Sequence, residues 1–206
     1  EGLYPFQVIT QSYKKMTLSN QYYLMRHGQS EANVAGIIVS APKVGCTHFG
    51  LTCEGKKQVI NSLPTCKELK IQSVYCSDFL RTKQTAQLLT DNLSLSEPVI
   101  EPLLRERFFG EWDGLSDRYY DTVWQHDALG TSGSTHRVET TDQVFKRAML
   151  VIARLEETHR NENILLVAHG DVLQILRTAW FKLAPYQHRQ LPNINTGEII
   201  PLIHAS

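Results

Sequence analysis

The chain has 206 residues, 42% of them hydrophobic, and its 21 basic residues are balanced by 21 acidic ones. That length suits one α/β domain with a substantial core, here residues 1–206, and the zero formal charge excludes a bulk electrostatic draw toward nucleic acid or an anionic membrane. The longest apolar runs, such as 164–168, are too short to cross a bilayer, residues 1–20 lack the basic and apolar parts of a leader, and Cys46, Cys53, Cys66 and Cys76 show no CxxC pairing. The expectation is a soluble, cytoplasmic protein with reduced thiols, although a start at Glu1 in place of Met leaves room for a leader already removed.

Residues 21–25 are a short apolar run ending in Arg-His-Gly, the pattern of a buried strand that enters a loop. Residues 54–69 carry Val59, Ile60 and Leu63 at helical spacing, with Pro64 placed to break or restart the helix. Residues 73–76 predict a second strand, followed by a helix over 80–89 that Ser77 and Asp78 would cap. Residues 98–104 read as extended. Residues 107–140 read as a lid or insertion, irregular and aromatic, with one helix near 117–126. Then come an amphipathic helix over 141–159, a buried strand over 163–167, a helix over 172–183 after a His-Gly-Asp turn, and an edge strand over 197–203. This alternation predicts a three-layer α/β/α fold with a mostly parallel central sheet, in which ligands bind beyond the carboxyl ends of the strands.

Three of those strands end in polar residues at that edge: Arg26-His27-Gly28, Ser77 with Arg81, and His169-Gly170-Asp171. Guanidinium forks bind phosphoryl oxygens bidentately at any working pH, and a neutral imidazole nitrogen can attack phosphorus. Gly28 would let the backbone approach such a group closely. Convergence of these groups points to phosphoryl chemistry.

Residues 22–33, YYLMRHGQSEAN, resemble the opening strand and phosphate loop, RHGxSxxN, of the histidine phosphatase superfamily. Residues 51–58 are similar to that family's LTxxGxxQ helix start. Residues 76–86 are similar to its SSxxxRTxQTA segment, with Cys76 in place of the first Ser. Residues 104–110 are similar to LxExxxG, and 167–170 to the second-histidine motif. The resemblance covers most of the chain and implies a phosphoglycerate-mutase-like fold and hydrolysis of a small phosphorylated substrate without cofactor or metal. It puts His27 in the nucleophile's place, Arg26, Arg81 and His169 on the phosphoryl oxygens, and Glu106 forward as proton donor. Ser30, Asn33 and Gly170 become further substrate-binding candidates. Glu106 would need a carboxyl pKa lifted by burial against Phe108 or Phe109. Some branches of the family take their proton donor from just after the second histidine, which makes Asp171 the alternative.

Two other functions were weighed against hydrolysis. A cofactor-dependent phosphoglycerate mutase usually carries a longer insertion after the acid and reads RHYGxLxG, where this chain has RFFGEWDG over 107–114. An inactive phosphate-recognising or scaffolding module is the other, and every expected catalytic position is filled. The family often has Gly-Gly-Glu-Ser before the late helix; here Arg137-Val138-Glu139-Thr140 stands there, which makes Arg137 a candidate to face the substrate. Arg107, Arg118, Arg137 and Lys43 read as solvated cations, each with a second anionic group as the rival role. Phe108, Phe109, Trp112, Tyr119, Tyr120 and Trp124 read as core and lid packing, with a substrate wall as the rival role. His48, His126, His136, His159, His188 and His204 lack metal-ligand spacing.

Overall fold

The computed structural model describes residues 17–130 and 136–203. Strands β1 (Gln21–Arg26), β2 (Ser73–Cys76), β3 (Val99–Ile100), β4 (Asn163–Ala168) and β5 (Ile199–Pro201) form one sheet in the order β3-β2-β4-β1-β5. All pairings are parallel except that of β5 with β1. The mostly parallel α/β sheet expected from the alternating pattern is therefore present.

β4 explains the layering. Its run of Ile164, Leu165, Leu166, Val167 and Ala168 is wholly buried, as a central strand covered on both faces must be. Successive side chains alternate: Ile164, Leu166 and Ala168 join one core with residues of α7 (Thr141–Thr158) and α8 (Gly170–Arg177). Leu165 and Val167 join the opposite core, with Val59 of α3 (Cys53–Asn61) and with Ala86 and Leu89 of α5 (Leu80–Leu93). α7 opens with a capping box in which Thr140 and Gln143 satisfy each other's backbone N–H groups, so its start falls where the amphipathic pattern begins.

Register then places the chemistry. Arg26 pairs with Ala168 and Cys76 with Val167, so the chain leaves the ends of β1, β2 and β4 side by side. His27, Ser77 and His169 are the residues that leave.

Several elements differ from expectation for local reasons. Short helices α1 (Glu31–Ala35) and α2 (Pro42–Gly45) carry too few apolar residues to show a period. The helix expected over 54–69 divides into α3 and α4 (Leu63–Glu68), with Pro64 in the first turn of α4 where its missing N–H is harmless. The extended stretch expected over 98–104 is only β3 before a 3-10 turn at Pro102–Leu104. α6 (Tyr119–Ala128) starts two residues after the expected 117–126 helix and ends two residues after it. α8 starts at Gly170 and ends at Arg177, where a 3-10 turn at Thr178–Trp180 takes over. Ser77 and Asp78 do not cap α5: Phe79 holds the N-cap position without a side-chain bond, while Asp78 pairs with Arg105 at 2.5 Å. No described helix is long and apolar enough to cross a membrane. Residues 1–16, His204 and the 131–135 part of the expected lid lie outside the described residues.

Candidate active site

His27 follows β1 directly and is 3% exposed. Its Nδ1 lies 2.7 Å from the Gly28 carbonyl oxygen, which can only accept, so Nδ1 carries the proton and Nε2 keeps its lone pair. Arg81 Nε donates to that Nε2 at 3.2 Å. Burial first, then the positive charges of Arg81 and Arg26, holds the His27 pKa well below its usual value. The ring is therefore neutral at ordinary pH. Gly28 has a close approach to explain, though to another part of the chain: a Cβ there would lie 2.5 Å from the Gly55 carbonyl oxygen, and one on Gly55 would lie 2.0 Å from the Gln29 oxygen. The backbone that follows β1 and the first turn of α3 thus press directly on each other.

Arg81, in the first turn of α5, is 4% exposed and donates from one terminal nitrogen to the Val39 carbonyl at 3.0 Å and to His169 Nδ1 at 3.2 Å. His169 is fully buried, and its ring centroid stands 5.4 Å from that of His27. It lies against Arg81 instead of on the cavity surface, and its Nε2 is bonded to Ser77 Oγ at 2.9 Å. Ser77 therefore holds the His169 ring instead of capping a helix. Burial, then Arg81 and His27, pushes the His169 pKa well below normal.

Arg26 donates one bond, to the Ile194 carbonyl at 3.0 Å. Its Nε and the Nη1 of Arg81 are buried without a hydrogen-bond partner among the described residues. Orphaned buried donors are rare, and two of them on guanidiniums beside one cavity suit an anion.

That cavity, of about 220 Å³, brings together Arg26, His27, Ser30, Asn33, Arg81 and Glu106, and Gly170 also lines it. Ser30 and Asn33 are in addition the capping box of α1, with Ser30 Oγ 3.0 Å from Asn33 Oδ1. Glu106 has its Oε2 3.6 Å from both Arg81 Nη2 and His169 Nδ1, and its Oε1 accepts from the Arg107 backbone N–H at 2.9 Å. Burial raises its pKa to about 7 against the opposing pull of Arg81, and the charge of Asp171 adds to the rise. Phe108 is exposed, and Phe109 packs edge-on to Tyr120 at 4.8 Å.

Asp171 also lines the cavity, in the first turn of α8. Trp124 Nε1 donates to it at 2.9 Å and Arg107 at 3.2 Å, and His188 Nε2 stands 3.0 Å away. Burial alone would raise its pKa; His188 and Arg107 overcome that and keep it well below the usual carboxylate range. Arg107 is not solvated as expected: it is 0% exposed and clamps Asp127 with two bonds of 2.7 and 2.8 Å. Arg118, Arg137 and Lys43 are exposed, and none of them lines the cavity. Among the described residues no cluster of three or more His, Cys, Asp or Glu side chains could hold a metal ion.

Residues 22–203 match the model of the histidine phosphatase superfamily, branch 1. The chain belongs to that superfamily. Among relatives of this histidine phosphatase is the adenosylcobalamin/alpha-ribazole phosphatase of Escherichia coli (strain K12), 32% identical over 162 residues that span 75% of each chain. A metal-independent phosphoserine phosphatase of Arabidopsis thaliana is 28% identical over 74% of this chain and 65% of its own. The solved alpha-ribazole phosphatase from Shigella flexneri superposes with a TM-score of 0.69 at 26% identity, covering 87% of this chain and 88% of that one. A mycobacterial glucosyl-3-phosphoglycerate phosphatase shares the fold, with a TM-score of 0.74 at 23% identity over 87% of this chain and 90% of that one. This histidine phosphatase is accordingly a hydrolase of the phosphatase type.

Tyr120 and Trp124 of α6 line the cavity, the rival of the two roles their sequence allows, and sequence reasoning missed Gln174, Arg189 and Asn193, which line it too. Gln174 was legible only as a polar residue between the apolar pairs Val172-Leu173 and Ile175-Leu176.

Proposed function

We propose that the chain hydrolyses a small phosphomonoester through a phosphohistidine on His27, without a metal ion. The observation that carries this reading is a neutral His27 on the cavity wall, with its proton parked on Nδ1 and its Nε2 lone pair held by Arg81 Nε, which would turn to the phosphoryl oxygens as Nε2 attacks; the same cavity has two guanidinium donors without a partner among the described residues. A phosphoryl group seated there takes the bonds of Arg26 and Arg81, while His169, fixed by Ser77, steadies Arg81 from behind.

In the first step Nε2 forms a bond to phosphorus and the bond to the ester oxygen breaks. The Glu106 carboxyl gives its proton to the departing alcohol. In the second, Glu106 as carboxylate takes a proton from water, the hydroxide displaces the imidazole, and inorganic phosphate leaves with His27 neutral again. A carboxyl pKa of about 7 suits a group that must be acid in one step and base in the next. Asp171 is held ionised by His188 and Arg107, so it has no proton to give. Transfer to water, and not back to substrate, distinguishes this reading from a mutase.

The test is rapid quenching with labelled substrate. An acid-labile, base-stable phosphoryl label on the wild type, absent from His27→Asn and undiminished by EDTA, is expected. A steady burst of product without any such label would overturn the covalent route, and loss of turnover in EDTA would overturn metal independence.

A further inference from the structure

The cavity has a second cationic end that the phosphoryl chemistry leaves unused. Arg189, in the 3-10 segment Pro185–Gln190, lines it together with Trp124, Gln174 and Asn193. The guanidinium carbon of Arg189 sits 3.7 Å from the centroid of the Trp124 ring, and one terminal nitrogen donates to Gln174 Oε1 at 2.6 Å. Gln174 is itself fixed, since its Nε2 donates to the Leu191 and Pro192 carbonyls at 3.1 and 3.0 Å. That leaves Oε1 to face Arg189. A surface arginine would wander; this one is stacked, hydrogen-bonded and half-buried.

Among the described residues Arg189 forms no ion pair: Asp171 and Asp121 act on it only from a distance, and the two carboxylates that share the cavity are engaged elsewhere. Asp171 serves Arg107, His188 and Trp124, and Glu106 faces Arg81 and His169. A guanidinium has several N–H donors, and the bond to Gln174 uses one of them. A preorganised cation with spare donors on a cavity wall is what binds an anion bidentately.

We infer that Arg189, held by Trp124 and Gln174, forms a subsite for a second anionic group on the substrate, a carboxylate or a second phosphoryl group. This rests on the hydrolase reading above, which seats the first phosphoryl group at His27. Size narrows the class: about 220 Å³ is below the roughly 300–1,000 Å³ of common small-molecule sites, so the two anionic groups are joined by only a few atoms. The substrate class is a short phosphomonoester whose alcohol part is itself charged.

Matched substrates test this on the whole chain: glycerol 3-phosphate against 3-phosphoglycerate for the carboxylate, and propyl phosphate against 1,3-propanediol bisphosphate for the second phosphoryl group. The expected result is a preference for one or both charged members on the order of 10- to 100-fold in kcat/KM, carried mainly by KM. Whichever pair shows the larger ratio identifies the anion. Arg189→Met should bring that ratio close to one, and Arg189→Lys should restore part of it. A wild-type ratio near one, or an Arg189→Met variant that slows both members of a pair equally, overturns the subsite. p-Nitrophenyl phosphate separates the two readings, because a wild type that fails to hydrolyse it fails the hydrolase reading instead. Calorimetric Kd values for the same pairs then still decide the subsite, by the same ratio and the same loss in Arg189→Met.

Discussion

The two ends of the cavity each hold a buried carboxylate and treat it in opposite ways. Beside His27, Glu106 has lost its water and gained one backbone N–H, with Arg81 and the neutral His169 ring at 3.6 Å, and its pKa climbs to about 7. At the outer wall Asp171 has lost as much water but gained Trp124 and Arg107 as donors, with the His188 ring at 3.0 Å, and it stays ionised. Burial alone does not choose the protonation state; the supply of directed donors does. The same rule separates a group that can move a proton from one that braces a wall.

The sharpest way to break this comparison is Glu106→Gln. Loss of the mobile proton should lower kcat/KM by about 10²–10⁴-fold for alkyl phosphates and much less for p-nitrophenyl phosphate, whose phenolate leaves without help. For alkyl substrates the wild-type rate should fall as pH rises past about 7, because the acid must be protonated, and that limb should be missing in the variant. An equal loss on both kinds of substrate would mean that Glu106 shapes the site and donates nothing.

Asp171→Asn sharpens the comparison from the other side. It leaves donors of Arg107 and His188 short of a charged acceptor, and should cost about 1–3 kcal/mol of stability by urea midpoint. Because the charge of Asp171 raises Glu106, its removal should also move the alkaline limb of the rate to lower pH. A limb that stays in place would show that the two ends do not sense each other.

The smallest effect belongs to Glu156 on α7, a carboxylate with many donors and only partial burial. Burial, the largest single influence, raises it, but Tyr22, Ser19 and Asn20 together overcome that and draw its pKa down to about 2. A depressed folded pKa gives stability that is complete above the unfolded value near 4.5 and is lost as pH falls toward 2. Acid unfolding followed from pH 5 to 2 should be less steep in Glu156→Gln, with the remaining slope owed to Asp171 and Asp78, whose pKa values are also lowered. An unchanged slope would remove Glu156 from the rule.

The same two ends differ in how far the sequence disclosed them. His27, Ser77, Arg81 and His169 follow apolar strands directly or open the next helix, so strand recognition and the rule of binding at carboxyl ends put them together before any coordinates. Glu106 was reached through the family motif, since no periodicity points to it. The outer wall depends on pairings set only by the finished packing. Arg107 looked solvated because its partners stand 20 and 64 positions away. Arg189 looked ordinary because Trp124 and Gln174, from two different helices, are what hold it.

Arg107 also ties distant stretches of the chain to one another. Its buried guanidinium spans Asp127 on α6, the Glu139 carbonyl and Asp171 on α8, so this side of the cavity depends on three separate parts of the sequence. A substitution that removes the guanidinium would leave two buried carboxylates short of donors and loosen all three parts at once.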